Sequence, residues 1–164
     1  MNAEKLAKTL VDLCAAQSRV LCVAESLTGG ALADALVRVP GTSAVFHGGV
    51  VAYATPMKAK ILGVNAHLLQ ERGAVDPEVA REMSRGALRL FEADIAIATT
   101  GVAGPKPQDG HPVGQVFVAV AGRFPDGRVL TRVAELSLEG DRGQIRALSV
   151  CNALQLAIEF VSSD

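Results

Sequence analysis

The chain has no Trp, one Tyr and five Phe in 164 residues. So few aromatics offer no platform on which nucleic-acid bases could stack. Basic and acidic residues nearly cancel, 16 against 17, and are interspersed along the chain. Without a basic cluster, no nucleic-acid partner is expected. Cysteine is also scarce. Cys14, Cys22 and Cys151 are odd in number and lie among apolar neighbours, so they read as reduced core thiols of a cytoplasmic protein. His47, His67 and His111 share no ligand spacing with one another or with a cysteine, and no metal site is expected. There is no G-x-S-x-G elbow and no G-x-x-x-x-G-K-[ST] loop, so a hydrolase built from this chain needs lysine, not histidine, as its base. The start of the chain is a charged amphipathic segment with no apolar signal core. No apolar run reads as long enough to span a bilayer, and no membrane partner is expected.

What is present is a globular composition, 49% apolar and 20% charged, with no repeat and no linker. One domain over residues 1–164 is expected. Leu6, Leu10, Leu13 and Cys14 share a helical stripe in residues 3–16, and residues 19–24 form a short apolar run suited to a strand buried on both faces. ESLTGG at 25–30 opens a helix that stops at Pro40. A strand over 47–54, a short helix over 56–63 and a helical turn over 64–74 follow. Asp76-Pro77 then signals a helix burying Val79, Met83, Ala87 and Leu90. Residues 94–99 read as a buried strand running into the glycine-rich loop 100–105, and residues 106–112 as an exposed loop. Two strands, 114–122 and 128–138, form a hairpin about Pro125-Asp126-Gly127, before a final helix carrying Ile145, Leu148, Cys151, Leu154, Ile158 and Val161 on one face. This order predicts a layered α/β/α domain with a mixed, parallel and antiparallel, central sheet.

The candidate functional residues gather at strand ends and helix starts: Ser26, Thr28 and Gly29; Thr42 and Ser43; Tyr53 and Lys58; Thr100 and Gly101; and Arg142. Such positions can share one pocket, because open α/β sheets bind ligands at the carboxyl ends of their strands. The first loop, strand then glycines then helix, has the form of an anion site, although Ser26 or Thr28 could equally be a plain helix cap. Ser43 and Lys58 flank one short strand. If they meet in a water-poor pocket, the lysine can lose its proton and serve as the base for the serine. To work at neutral pH its pKa must fall by roughly three units from the aqueous value.

AESLTGG at 24–30, GTSAVFHGGVVAY at 41–53, Lys58, GAV at 73–75, TTGVAGP at 99–105, PVG at 112–114 and GDR at 140–142 together resemble the CinA C-terminal domain family. The resemblance runs from the first helix to the last. Stand-alone members are nicotinamide mononucleotide (NMN) amidohydrolases, and the resemblance implies deamidation of NMN to nicotinic acid mononucleotide and ammonia in pyridine-nucleotide salvage. It implies a Ser/Lys dyad and no metal or cofactor. It places the dyad on Ser43 and Lys58 with Tyr53 beside them, and makes Ser26 the rival nucleophile. Thr100 and Arg142 then line the site and hold substrate. Three departures stand out: Leu27 where cysteine is common, Thr42 in the Gly-Thr-Ser turn, and Tyr53-Ala54-Thr55 leading to the lysine. A non-catalytic nucleotide-binding accessory domain is the alternative. A homodimer is expected, and the apolar segment 113–120 could serve as its contact or could simply be core.

Overall fold

The computed structural model describes residues 2–163. Five strands form one sheet in the order β2-β1-β3-β4-β5. They are β1 (Leu21–Glu25), β2 (Phe46–Val51), β3 (Ile95–Gly101), β4 (Gln115–Arg123) and β5 (Val129–Ser137). Strands β2, β1 and β3 run parallel, and β4 is antiparallel to both β3 and β5. The expected mixed sheet is therefore present. The helices are α1 (Ala3–Ala16), α2 (Ala31–Val37), α3 (Thr55–Leu62), α4 (Ala66–Arg72), α5 (Pro77–Phe91) and α6 (Arg142–Ser162).

The sheet's two faces carry different side chains, and this decides how closely each helix layer approaches. Leu21, Val23, Ile95, Ile97, Val116, Val118 and Val120 face α1, α2 and α6. The alternate positions face α3, α4 and α5, and apart from Phe117 they are small: Cys22, Ala24, Ala96, Ala98, Ala119 and Ala121. Close approach continues between the helices on that side. A Cβ at Gly86 of α5 would lie 2.0 Å from the Leu62 carbonyl oxygen at the end of α3. Gly86 thus sets the distance at which α3 docks.

Three expectations need correction. Leu90 is 49% exposed, because it falls on the outer face of α5 beyond its last inward turn. The segment 113–120 contains most of β4, whose residues Val116–Ala121 are buried between β3 and β5, so it is core and not available as a dimer contact. Helix α6 is, by length and composition, apolar enough to cross a membrane, contrary to the reading of the sequence. Its apolar positions Ile145, Ala153, Leu154, Ala157 and Val161 are instead fully buried in the core shared with the sheet and α1.

Candidate active site

Because β1, β2 and β3 are parallel, the segments that leave them emerge at one end of the sheet. Ser26 follows β1, Tyr53 and α3 follow β2, and Val102–Gly104 follow β3. The antiparallel β4 begins at that end, since Gly101 pairs with Val116 and Gln115 with Ser137 at the end of β5. The chain then turns into α6, whose first residue is Arg142. A cleft of about 120 Å³ lies there. That is on the scale of one ring, a little under the about 150 Å³ of a closed cavity that holds benzene. Of the candidates named from the sequence, Ser26, Tyr53, Lys58, Thr100, Gly101 and Arg142 line it.

Lys58 is wholly buried. On α3 it shares an inward stripe with Leu62, one turn on, while Lys60 points to solvent. Its Nζ lies 2.9 Å from Ser26 Oγ, 2.9 Å from the Ala52 carbonyl and 3.2 Å from the Tyr53 carbonyl. No carboxylate compensates the charge, and burial lowers its pKa from 10.5 to about 8. The partners suit the neutral amine. Two N–H groups donate to the two carbonyls, which leaves the lone pair to accept the Ser26 hydroxyl proton. The carbonyls orient the amine, and the serine is the group it can deprotonate.

Ser26 is held by its own loop. Its N–H donates to the Thr99 carbonyl at 3.0 Å, and its carbonyl accepts from Gly29 N–H at 3.0 Å. Arg146 of α6 donates through Nε to the Leu27 carbonyl at 3.0 Å and through Nη2 to the Thr28 carbonyl at 2.8 Å. Glu25, buried at the end of β1, accepts the N–H groups of Gly30, Leu32 and Ala33 at 3.0, 3.0 and 2.9 Å. Those are the unpaired donors at the start of α2, so an internal carboxylate occupies the place an external anion would take.

Several predicted site residues lie elsewhere. Ser43 is exposed on a 3-10 turn, Thr42–Ala44, at the start of β2, and Thr42 is buried in the same turn. Lys58 follows the far end of β2. Six strand residues put the two ends about 20 Å apart, so a serine before a strand cannot fold back onto a lysine after it. The Ser43–Lys58 pairing is therefore corrected to Ser26–Lys58. Thr28 is buried with its hydroxyl 2.8 Å from Thr99 Oγ1, a contact inside the loop scaffold. Gly29 has φ +59 and packs against Arg146, outside the cleft lining. The glycine loop's predicted anion role is displaced by Glu25, which the sequence reading missed. Its signal was a carboxylate closing an otherwise apolar strand run.

At the mouth, Arg142 donates to the Gly104 carbonyl and to the Tyr53 hydroxyl, both at 2.9 Å. Thr100 Oγ1 donates to the Ala74 carbonyl at 2.6 Å, which ties β3 to the segment before α5. Leu27, Thr55, Lys106 and Gln108 also line the cleft; the sequence marks Leu27 and Thr55 only as departures from the family pattern and does not single out Lys106 or Gln108. Among the described residues, no cluster of three or more His, Cys, Asp or Glu side chains could hold a metal ion.

Comparison with known proteins fits this arrangement. Residues 3–161 match the sequence profile of the CinA C-terminal domain. A CinA-like protein of Frankia casuarinae is 46% identical over 153 residues, covering 93% of this chain and 34% of the relative. A CinA-like protein of Thermotoga neapolitana is 42% identical over 156 residues, 94% of this chain and 37% of the relative. The chain thus spans about a third of the length of these curated relatives. Among solved structures, a CinA superfamily protein from Klebsiella pneumoniae superposes with a TM-score of 0.89 at 34% identity, covering all of both chains. One from Escherichia coli gives 0.86 at 36% identity, covering 96% of this chain and 90% of the other.

Proposed function

Since the chain belongs to the CinA C-terminal domain family, we propose that it is a metal-independent amidohydrolase that deamidates nicotinamide mononucleotide to nicotinic acid mononucleotide, with Ser26 as nucleophile and Lys58 as base. One observation carries the reading: a buried lysine, lowered to about pKa 8, stands 2.9 Å from a serine hydroxyl with its other hydrogen bonds taken by two carbonyls. A lysine wholly removed from water, beside a hydroxyl and with no carboxylate to neutralise it, destabilises the fold in its charged form. Such an arrangement suits proton transfer.

In this reading the carboxamide enters the ring-sized cleft. Ser26 Oγ attacks the amide carbon and its proton passes to Lys58 Nζ. The oxyanion is met by the N–H of Leu27, the residue after the nucleophile, which meets no acceptor among the described residues. A turn at Gly41–Ser43 cannot serve, for the reason given above. Lys58 then gives its proton to the departing amide nitrogen, releasing ammonia and leaving an ester on Ser26. Water attacks that ester and gives its proton to Lys58, which passes it to Ser26 Oγ as the ester bond breaks, so the carboxylic acid leaves with the serine and the neutral lysine restored. Tyr53 lines the cleft, and its hydroxyl fixes Arg142 at the mouth, where Arg142 binds the phosphate. The proposal also places the protein in the cytoplasm as a homodimer; light scattering of the pure protein tests the latter.

Ammonia release from nicotinamide mononucleotide is the deciding assay. Wild type and Ser43→Ala should turn over alike, while Ser26→Ala and Lys58→Met should lose at least a thousandfold in kcat and keep the fold by circular dichroism. No ammonia from wild type, with the nucleotide still bound, would favour the non-catalytic binding module.

A further inference from the structure

Arg142 needs a second partner to hold a phosphate, because the usual backbone sites at this end of the sheet are closed. Helix N-termini attract anions, but α2 starts on Glu25, α5 on Asp76 and α6 on Asp141, each accepting the free N–H groups of its own helix. Helix α3 begins without a carboxylate, yet Pro56 removes one of its N–H groups and Met57 N–H donates to the Ala54 carbonyl. Recognition therefore falls to cationic side chains.

Three cations line the cleft, Lys58, Lys106 and Arg142, and no carboxylate does. The Lys58 amine is committed to Ser26 and two carbonyls. Arg142 spends one nitrogen on Gly104 and another on Tyr53. Lys106 has no acceptor for its ammonium among the described residues. The backbone on either side of it is fixed. Arg142 holds the Gly104 carbonyl two residues before it, and two residues after it Gln108 forms a two-way bridge with His111, whose ring lies 2.8 Å from Gln115. Nearby Asp109 lies against Gly73, outside the cleft lining. With only ring-sized room beside Ser26, the ribosyl phosphate of a nucleotide must project out across this rim.

We infer that Lys106, together with Arg142, binds the 5′-phosphate, and so selects the phosphorylated nucleotide over the nucleoside. This rests on the function proposed above. Lysine supplies a point charge where Arg142 supplies a fork. The interaction is the same in ground and transition states, so it moves KM and spares kcat.

The test compares nicotinamide mononucleotide with nicotinamide riboside, which lacks the phosphate, on wild type, Lys106→Ala and Lys106→Arg. Lys106→Ala should raise KM for the mononucleotide about tenfold with kcat within twofold. The riboside kcat/KM should move less than twofold, and Lys106→Arg should recover most of the loss. Equal changes for both substrates, or none for either, overturn the assignment. Calorimetric titration of the mononucleotide into Ser26→Ala, with and without Lys106→Ala, separates this inference from the function itself. If wild type releases no ammonia but Lys106→Ala still weakens binding about tenfold, the hydrolase reading fails and the phosphate site stands. If the mononucleotide does not bind, both fall.

Discussion

A lysine amine with two carbonyl acceptors and one serine hydroxyl has its proton count set by geometry. Protonated, Lys58 donates to all three oxygens; neutral, it keeps two donors and turns its lone pair to Ser26. Because burial puts its pKa at about 8, kcat/KM should rise about tenfold per pH unit below pH 8 and level off above it. A pH–rate profile checks this, and a flat profile from pH 6 to 9 would remove Lys58 as the base. The same residue links stability to pH. In the unfolded chain its pKa returns to 10.5, so between about 8 and 10.5 the folded state binds fewer protons and folding gains as pH rises. Measured against Lys58→Met by denaturant titration, wild type should gain about 3 kcal/mol between pH 7 and 10.5. Cys14 and Cys22 act in the opposite sense. Burial pushes their thiols up to about 11 and about 12, so the folded state holds protons that the unfolded state releases above pH 9. The comparison with Lys58→Met cancels their effect, since both proteins carry them.

At the scale of elements, the placement of Ser26 depends on the start of α2 and that of Lys58 on the seat of α3. Glu25 satisfies three N–H groups at the first. Glu25→Gln keeps the shape but loses the charge facing the helix dipole and buries an unpaired amide NH₂. It should cost about 2 kcal/mol in urea denaturation and lower kcat by loosening Ser26. Gly86 controls the second. A Cβ there meets the Leu62 carbonyl at 2.0 Å, so Gly86→Ala must push α3 outward and Lys58 with it. Destabilisation of about 1–3 kcal/mol is expected, with a fall in kcat larger than any change in KM. A Gly86→Ala protein with wild-type kcat would show that α3 does not position the base.

For the whole molecule, the parallel set β2-β1-β3 brings separate loops together, and the antiparallel β4 and β5 return the chain so that α6 starts at the same rim. Arg142 and Arg146, one turn apart on α6, then reach across to different loops, one to Gly104 and Tyr53 and the other to the carbonyls beside Ser26. The last helix thus clamps the site built by the first half of the chain. Truncation before Arg142 should abolish both folding and turnover, because α6 also supplies buried core residues such as Ile145 and Leu154. Circular dichroism of the truncated chain reads the outcome directly.

The sequence alone determined the elements, the mixed sheet and the family, because apolar periodicity, Asp-Pro and glycine punctuation, and several motifs in order are local properties of the chain. It also determined a short helix carrying Lys58 and Lys60, and the presence of serines, a lysine and an arginine at element ends, while burial in the fold decided that Lys58 and not Lys60 faces inward. Tertiary structure alone decided which serine meets the lysine. Sequence distance favours Ser43, fifteen positions from Lys58 against thirty-two for Ser26. Parallel pairing reverses that order, because it sends Ser43 to one end of the sheet and gathers Ser26 and Lys58 at the other. It likewise decided that the glycine loop is closed to anions, since only folding places the Glu25 carboxylate over the N–H groups five to eight residues ahead of it. Strand direction and side-chain reach are three-dimensional quantities that spacing along a chain does not contain.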